Sequence, residues 1–543
     1  MRKLQTGLPI AVGAVAYVAA DNLGPLAWLV FLALVPLFGS LSGTTGRGAW
    51  KRGYLFGLVF GLGELFWLGQ LTDRWVGSWA LGLVPWLVSS VLMALYFGLF
   101  AVLARRAILA GHGWAVPFIW SGIEIFRSYI PVFAFPWGLL AGPLWRFPWL
   151  IQTSHLGTIF LVSAWVAAIN WLMALRLGSE SRDVPVETGG LPLKGTRFAR
   201  TIGNRKTLTS VPSPKGEGDR VAASAQTQPG LRFGAVAAVF AGGLVVSVGM
   251  YAVPFHTRPI PVTLGQTGVD MAFGDPALMQ RITNKAVERI DRSAVKDHSS
   301  LLVLPEGVAV QRVLGRPITG FRLDPSVPTL FGAQRGTGPY FQSAIGFDGR
   351  WQAVDKTRLV IFGEFVPARN FLPFLKAFNL PSGDLSSGEH GTQAVRFGAL
   401  TVGPIICFEE LFPDIAFRQA INGSQMLAVL SIDDWFIGTS APVELTSASV
   451  WRAIETGLPV VRVTPLGESQ LVGSHGDVLA RLPPERLEAP TVQVQVPVST
   501  SPPVWLPLFP AFSLAVTLVA PFWKRRGTLR EWQPDSRDPS ARS

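Results

Sequence analysis

Along the first third of the chain, apolar residues run on in stretches far longer than one amphipathic helix needs, and the charges gather in the breaks between them. A bilayer core is crossed by roughly 20 apolar residues of helix. Stretches at 6–21, 24–42, 53–71, 79–104, 113–130, 149–176, 233–253 and 504–523 meet that standard and predict a polytopic α-helical membrane domain of about eight transmembrane helices. The first follows Met1-Arg2-Lys3 and runs into the second without a clear small-residue cleavage site, so it reads as an uncleaved helix. The fifth contains Glu124 and Arg127. Such groups either face a bundle interior or mark a helix end from which a long side chain snorkels, and the pattern leaves both readings open.

The pattern changes twice further on. Residues 177–232 are rich in Gly, Ser, Thr, Pro and Gln around "SPKGEGDR" and read as a disordered, basic cytoplasmic linker. Residues 254–503 alternate short β-type runs (Val262–Gly265, Ser300–Leu304, Leu400–Cys407, Met426–Ile432, Pro459–Val463) with stretches of helical character, which predicts an α/β domain. The expected division is helices one to six in 1–176, the linker in 177–232, helix seven at 233–253, the α/β domain in 254–503, helix eight at 504–523 and a cytoplasmic tail at 524–543.

Composition and charge support this division. An apolar fraction of 49%, only 15% charged residues and a mean hydropathy of +0.35 are unusual for a soluble chain. The net charge of +12 would suit nucleic acid, but the basic residues sit in short clusters between apolar runs, as membrane topology requires. With the N-terminus in the cytoplasm, the inner loops hold Arg47, Lys51, Arg52, Arg105, Arg106 and the basic residues of 177–232, and the tail opens Lys524-Arg525-Arg526. The opposite loops at 72–78 and 131–148 carry only Arg74 and Arg146 among basic residues. Both termini are therefore expected inside and the α/β domain outside the cytoplasmic membrane. Cys407 is the only cysteine, so no intramolecular disulfide can form. The six histidines show no metal-ligand spacing, and no metal site is expected.

Three pieces of the α/β domain look like strand ends that present polar groups: "SLLVLPEGVAV" with Glu306, "VDKTRLVIFGEFVP" with Lys356 and Glu364, and "VGPIICFEELFPD" with Cys407. Singly, each has an ordinary reading as a surface carboxylate, a solvated lysine or a small buried thiol. Together they supply a base, a cation and a nucleophile: a base or cation raises the thiolate fraction, and a cation can also stabilise the oxyanion of a tetrahedral intermediate.

These three motifs, in this order, resemble the Glu–Lys–Cys triad of the nitrilase superfamily. With eight apolar spans, "FPWGLLAGPLW", "SIDDWFIGTS" and "WRAIETGLPVVRVTPLG", the chain is similar over nearly its whole length to the apolipoprotein N-acyltransferases, the membrane-embedded branch of that superfamily. The resemblance implies a nitrilase-like α-β-β-α sandwich on the periplasmic side of a bacterial inner membrane, working without a cofactor and as a monomer. It implies that Glu306 is the general base, that Lys356 stabilises the oxyanion and that Cys407 carries the acyl group. Glu364 would position or neutralise Lys356. Glu409 matches a further acid of the family, although a structural hydrogen-bonding role at the elbow fits it equally well. Trp435 would line the substrate cleft, or be an ordinary core tryptophan, and Phe362, Phe365 and Phe408 would shield the thioester from water. The implied reaction moves a fatty acyl chain from a phospholipid, with phosphatidylethanolamine the expected donor, to the α-amino group of the diacylglyceryl-cysteine of an apolipoprotein. Membrane lipids are the surroundings and nucleic acid is no partner. The chain departs from the family pattern at Ile361, Phe408, Ile432, Ile437 and Pro465 and only loosely matches it at "LGQTGVDM", leaving the triad intact. A membrane-anchored amidase or other nitrilase-type hydrolase, and a non-catalytic binding paralogue, are the alternatives.

Overall fold

The computed structural model describes residues 2–131, 133–180, 229–310, 320–367, 384–388 and 393–523. Most of the expected linker and the whole of the expected tail lie outside them.

Among the described residues, four helices or helical segments are long and apolar enough to cross a membrane: Gly24–Leu41, Trp79–Leu109, Ser154–Leu177 and Gly234–Tyr251. The pair Gly46–Glu64 and Phe66–Val76, bent by 42° at Leu65, makes a fifth if counted as one span. The remaining expected spans are shorter helices. Gly7–Asn22 and Leu508–Val519 are apolar but below that length, and Val116–Tyr129 has 14 residues. At about 1.5 Å per residue, that last helix is shorter than a hydrocarbon core of about 30 Å. Helices Gly46–Glu64 and Trp79–Leu109 pack closely because glycines face the partner. A Cβ on Gly57 would lie 2.8 Å from Ala94 Cα.

Glu124 and Arg127 face the bundle interior. Both are buried. The Arg127 guanidinium donates to the carbonyls of Phe135, Trp137 and Gly138, and Glu124 accepts from Leu140 N at 2.8 Å and Trp120 Nε1 at 3.0 Å. Together they satisfy irregular backbone that has no helical partners of its own, the condition for such backbone at membrane depth.

Among its described residues the α/β domain has thirteen strands. They are β1 (Thr257–Leu264), β2 (Leu301–Val303), β3 (Ala309–Val310), β4 (Thr329–Arg335), β5 (Phe341–Phe347), β6 (Trp351–Asp355), β7 (Val395–Phe397), β8 (Leu400–Ile406), β9 (Met426–Leu430), β10 (Val460–Val463), β11 (Gln470–Val472), β12 (Val478–Arg481) and β13 (Thr491–Pro497). They form two sheets, ordered β13-β1-β2-β4-β5-β6, with β3 paired to β4, and β12-β11-β10-β9-β8-β7. The five sequence-predicted runs are β1, β2, β8, β9 and β10.

Alternation along each strand separates three apolar layers. Leu301 and Val303 of β2 pack with Ile406, Ala428, Leu430 and Val461 between the sheets. Leu302 points the other way, to Val287 and Ile290 of helix Pro276–Lys296. Ile405, Leu427 and Val429 face helices Pro413–Ile421 and Ala441–Thr456, in a cluster continuous with the membrane helices. The result is an α-β-β-α sandwich whose second helical layer is shared with the membrane domain.

Polar contacts fix that junction. Helix Ser154–Glu180 is broken at Gly157 and Thr158, where Thr158 has φ +66°, ψ −179°, a region few residues other than glycine adopt. The break frees Ile159 N to donate to Glu455 Oε1 of helix Ala441–Thr456 at 2.8 Å. On the other side, Arg74 donates to Ile437 O at 2.6 Å and lies 3.8 Å from Asp270, while Trp75 stacks on Trp435 at 4.1 Å.

Candidate active site

The three chemically promising residues leave from strands more than forty residues apart and meet at one point. Cys407 directly follows β8 and opens the short 3-10 helix Cys407–Leu411. Its φ of +51° turns the thiol sharply out of the strand direction. That conformation is uncommon for a side-chain-bearing residue and is strained. Glu306 follows β2, held where Gly332 N donates to Pro305 O at 2.9 Å. A Cβ on Gly332 would collide with the Glu306 backbone, so only glycine fits. The Gly332→Ala change is expected to displace Glu306 and lower acylation at least tenfold, with a destabilisation of about 1–3 kcal/mol from overpacking, both measurable by kinetics and thermal melting. Lys356 follows β6, its N–H continuing the ladder to Gln342 O at 2.8 Å.

Lys356 Nζ lies 2.7 Å from Glu364 Oε1 and 3.5 Å from Glu306 Oε1, and Glu306 is hydrogen-bonded to the Cys407 side chain. All three triad side chains are buried. Glu364 is fixed by its other oxygen, which accepts from Val360 N at 2.7 Å. Glu409 does not contact the lysine ammonium directly. Its Oε1 accepts from Thr357 N at 2.7 Å and Arg358 N at 3.1 Å, and its Oε2 from Ile406 N at 3.1 Å. It therefore ties the loop after Lys356 to the strand that delivers Cys407, which is the structural role the sequence left open.

Burial pushes the Glu306 carboxyl up to about 7, with the Lys356 charge opposing and Glu364 adding to the shift. Burial would by itself lower the Lys356 ammonium, but Glu306 and Glu364 outweigh it and hold the proton. Burial and then the Glu306 charge push the Cys407 thiol up, against Lys356 and an N–H donated by Ile432. The resting sulfur is thus a thiol, and Glu306 is a carboxyl that changes charge near neutral pH, as a general base there would need to. Because the base form is the ionised one, acylation is expected to fall about tenfold per unit below pH 7 and to level off above it, in a kcat/KM profile. The same raised value means that Glu306 opposes folding increasingly as pH rises from 4.5 through 7, since over that window the folded state holds a proton that the unfolded chain has released.

The aromatic residues separate. Phe408 packs edge-on against Phe412 with centroids 5.3 Å apart, so the side chain at this position has an apolar neighbour that requires no hydroxyl. Phe365 is half-buried, and Phe362, at φ +64°, is exposed. Trp435 is met by Trp75 from the membrane domain, a partner that no sequence pattern pointed to. An apolar groove of about 700 Å³ between helices Trp79–Leu109, Val116–Tyr129 and Ser154–Glu180 is not lined by the triad.

A strand-delivered cysteine with buried acid and lysine partners, on an α-β-β-α sandwich, defines a nitrilase-type domain. The carbon-nitrogen hydrolase family profile matches residues 344–502, which include Lys356 and Cys407. The profile of the apolipoprotein N-acyltransferase N-terminal domain matches residues 12–172. Taken together, the two profiles and the curated relatives make the chain similar along most of its length to the apolipoprotein N-acyltransferases. It is 26% identical to the apolipoprotein N-acyltransferase of Geobacter metallireducens, over 86% of this chain and 84% of the relative. It is 28% identical to that of Allorhizobium ampelinum, over 90% and 88%. A solved amidase from Nesterenkonia sp. is 17% identical with a TM-score of 0.31, covering 46% of this chain and 94% of the amidase.

Proposed function

We propose that the chain N-acylates apolipoproteins in a bacterial inner membrane by a ping-pong reaction on Cys407. The observation that carries this reading is the buried Glu306–Lys356–Cys407 constellation in a domain whose outer helical layer is continuous with membrane helices. In the first half-reaction, Glu306 takes the Cys407 proton as sulfur attacks an acyl ester of a phospholipid. The C–O bond breaks, the proton passes to the departing lysophospholipid oxygen and a thioester remains. In the second, the α-amino group of a diacylglyceryl-cysteine attacks the thioester. The C–S bond breaks, an amide forms, and the amine proton returns to sulfur through Glu306. Lys356 faces the oxyanion in both halves, held in place by Glu364. Eight spans, with both termini cytoplasmic and the α/β domain periplasmic, agree with the distribution of basic residues. Such a topology brings the site to the leaflet that holds the donor, for which phosphatidylethanolamine is the first candidate, and a monomer contains every residue the mechanism uses.

The test uses purified full-length protein with phosphatidylethanolamine vesicles. A hydroxylamine-labile acyl adduct on Cys407, discharged faster by a diacylglyceryl-peptide, is the expected result. An adduct whose loss the peptide leaves unchanged would make the chain a hydrolase, and no adduct at all would leave a binding protein.

A further inference from the structure

Behind the nucleophile lies a second, deeper constellation that the triad chemistry does not use. Val461 and Val463 of β10 point between the sheets. Arg462 therefore points the opposite way, toward helix Ala441–Thr456, and is fully buried. Its guanidinium engages two carboxylates at once. Nη2 lies 3.0 Å from Glu410 Oε1 and 2.9 Å from Asp433 Oδ1, Nη1 lies 2.9 Å from Asp433 Oδ2, and Nε lies 3.2 Å from Glu410 Oε2. The remaining capacity goes to Glu468 O at 3.0 Å and Ser431 Oγ at 3.3 Å. A planar fork of five donors is the one side chain that can hold two carboxylates in fixed relation in this way.

What the two carboxylates are attached to gives this arrangement its meaning. Glu410 sits three residues beyond Cys407 in the same 3-10 helix. Asp433 follows Ile432, whose backbone N–H is the donor to the Cys407 sulfur. The two segments leave neighbouring parallel strands, with Ile406 opposite Leu430. Beyond that register no ladder holds them together, and Cys407 is in a strained conformation that its surroundings must maintain. The grip is also anchored from the membrane side. Arg452 donates to Glu410 O at 3.2 Å and pairs with Glu455, the acceptor for Ile159 N at the helix break.

We infer that Arg462 is a positioning residue for the nucleophile: by gripping Glu410 and Asp433 together, it fixes the Cys407 sulfur against the Ile432 N–H. This inference rests on the assignment of Cys407 as the acyl carrier. It also explains why isoleucine is tolerated at 432, since the contact to sulfur is made by the backbone and any residue other than proline supplies it.

The experiment uses the full-length protein with Asp433→Asn and Glu410→Gln, each of which keeps the side-chain shape and removes one charge-assisted grip. Three quantities are read: the single-turnover rate of Cys407 acylation from phosphatidylethanolamine, the pH dependence of Cys407 alkylation by iodoacetamide, and the melting temperature. The charged groups that face the sulfur are Glu306, Lys356 and Glu364, and both variants leave them unchanged. Acylation about 100-fold slower, with the alkylation midpoint moved to higher pH, is the expected result, because the donor to sulfur has been displaced. Wild-type acylation rates and an unmoved alkylation profile would overturn the inference, however far the melting temperature falls, since a purely structural network changes only the last quantity. If either charge variant fails to fold, Ser431→Ala, which removes only the 3.3 Å contact to Arg462 and the 2.8 Å contact to Asp433, gives a smaller shift in the same direction or overturns the inference. A wild-type protein that forms no adduct would instead sink the proposed function. A wild-type adduct with unchanged variants would sink only the positioning role.

Discussion

Cys407→Ser is expected to form no acyl adduct and to lower N-acylation by about 10⁴-fold or more while leaving the fold intact. The substitution exchanges one atom in a side chain that is only 7% exposed, so the melting temperature should move by no more than a few degrees. The chemistry, by contrast, changes on every count. A serine hydroxyl is a far weaker acid than a thiol, and Glu306, held at about 7, cannot take its proton to a useful extent. The C–O bond is shorter than C–S, which draws the nucleophile back from a position set by the +51° φ and by the Ile432 N–H. Any ester that did form would be a poorer acyl donor to an amine than a thioester. The measurement is mass spectrometry of the protein after incubation with phosphatidylethanolamine, alongside N-acylation of a diacylglyceryl-peptide and thermal melting. Retained peptide acylation by a folded Cys407→Ser protein would remove Cys407 from the mechanism and, with it, the ping-pong scheme.

The parts of this architecture that were legible in the sequence are those written in local pattern. Fully buried strands such as β9, "MLAVL", read as continuous apolar runs between turns, and five of the thirteen strands among the described residues were visible from such runs. Glu306 and Cys407 were legible because each ends such a run, and Lys356 because it stands before the apolar stretch of "VDKTRLVIFGEFVP", although only the folded chain brings the three within reach of one another. Backbone geometry was not legible. Hydropathy cannot show that helix Ser154–Glu180 breaks at Thr158, or that the apolar stretch at 113–130 becomes a 14-residue helix carrying Glu124 and Arg127 inward. Those two charges fit either an interface or an interior until Phe135, Trp137 and Gly138 supply the carbonyls. Contacts between distant residues were also hidden. Trp435 needed Trp75, and Glu410 and Asp433 needed Arg462, a basic residue inside an otherwise apolar strand. That last anomaly was the one local signal available, since a charge in a buried strand implies a partner.

Lys356→Met is expected to reduce kcat about 10³-fold and to make both activity and stability depend on pH in a new way. The lysine is 1% exposed and stands between Glu306 and Glu364, so its loss removes the cation proposed to face the tetrahedral oxyanion, worth about 10²–10³ in rate where such donors have been deleted. It also leaves two carboxylates sharing a buried site with nothing to offset them. Like charges so placed cannot both ionise, so one of the pair takes up a proton and the Glu306 carboxyl rises further above its value of about 7. The acid limb of the kcat/KM profile should therefore move to higher pH in Lys356→Met, on top of the lower plateau. The sign for stability follows from the same shift. A carboxyl whose folded pKa is raised destabilises the fold as pH climbs through that pKa, so the variant should melt well below the wild type at pH 8 and recover part of the difference by pH 6. A broken buried pair costs about 3–5 kcal/mol, and the Glu364 side chain, at 15% exposure, brings this toward the lower end. Kinetics and thermal melting of the two proteins between pH 6 and 9 measure all three quantities. A variant with an unmoved acid limb would show that the lysine charge does not govern Glu306, whereas a plateau lowered less than about tenfold would place the oxyanion elsewhere.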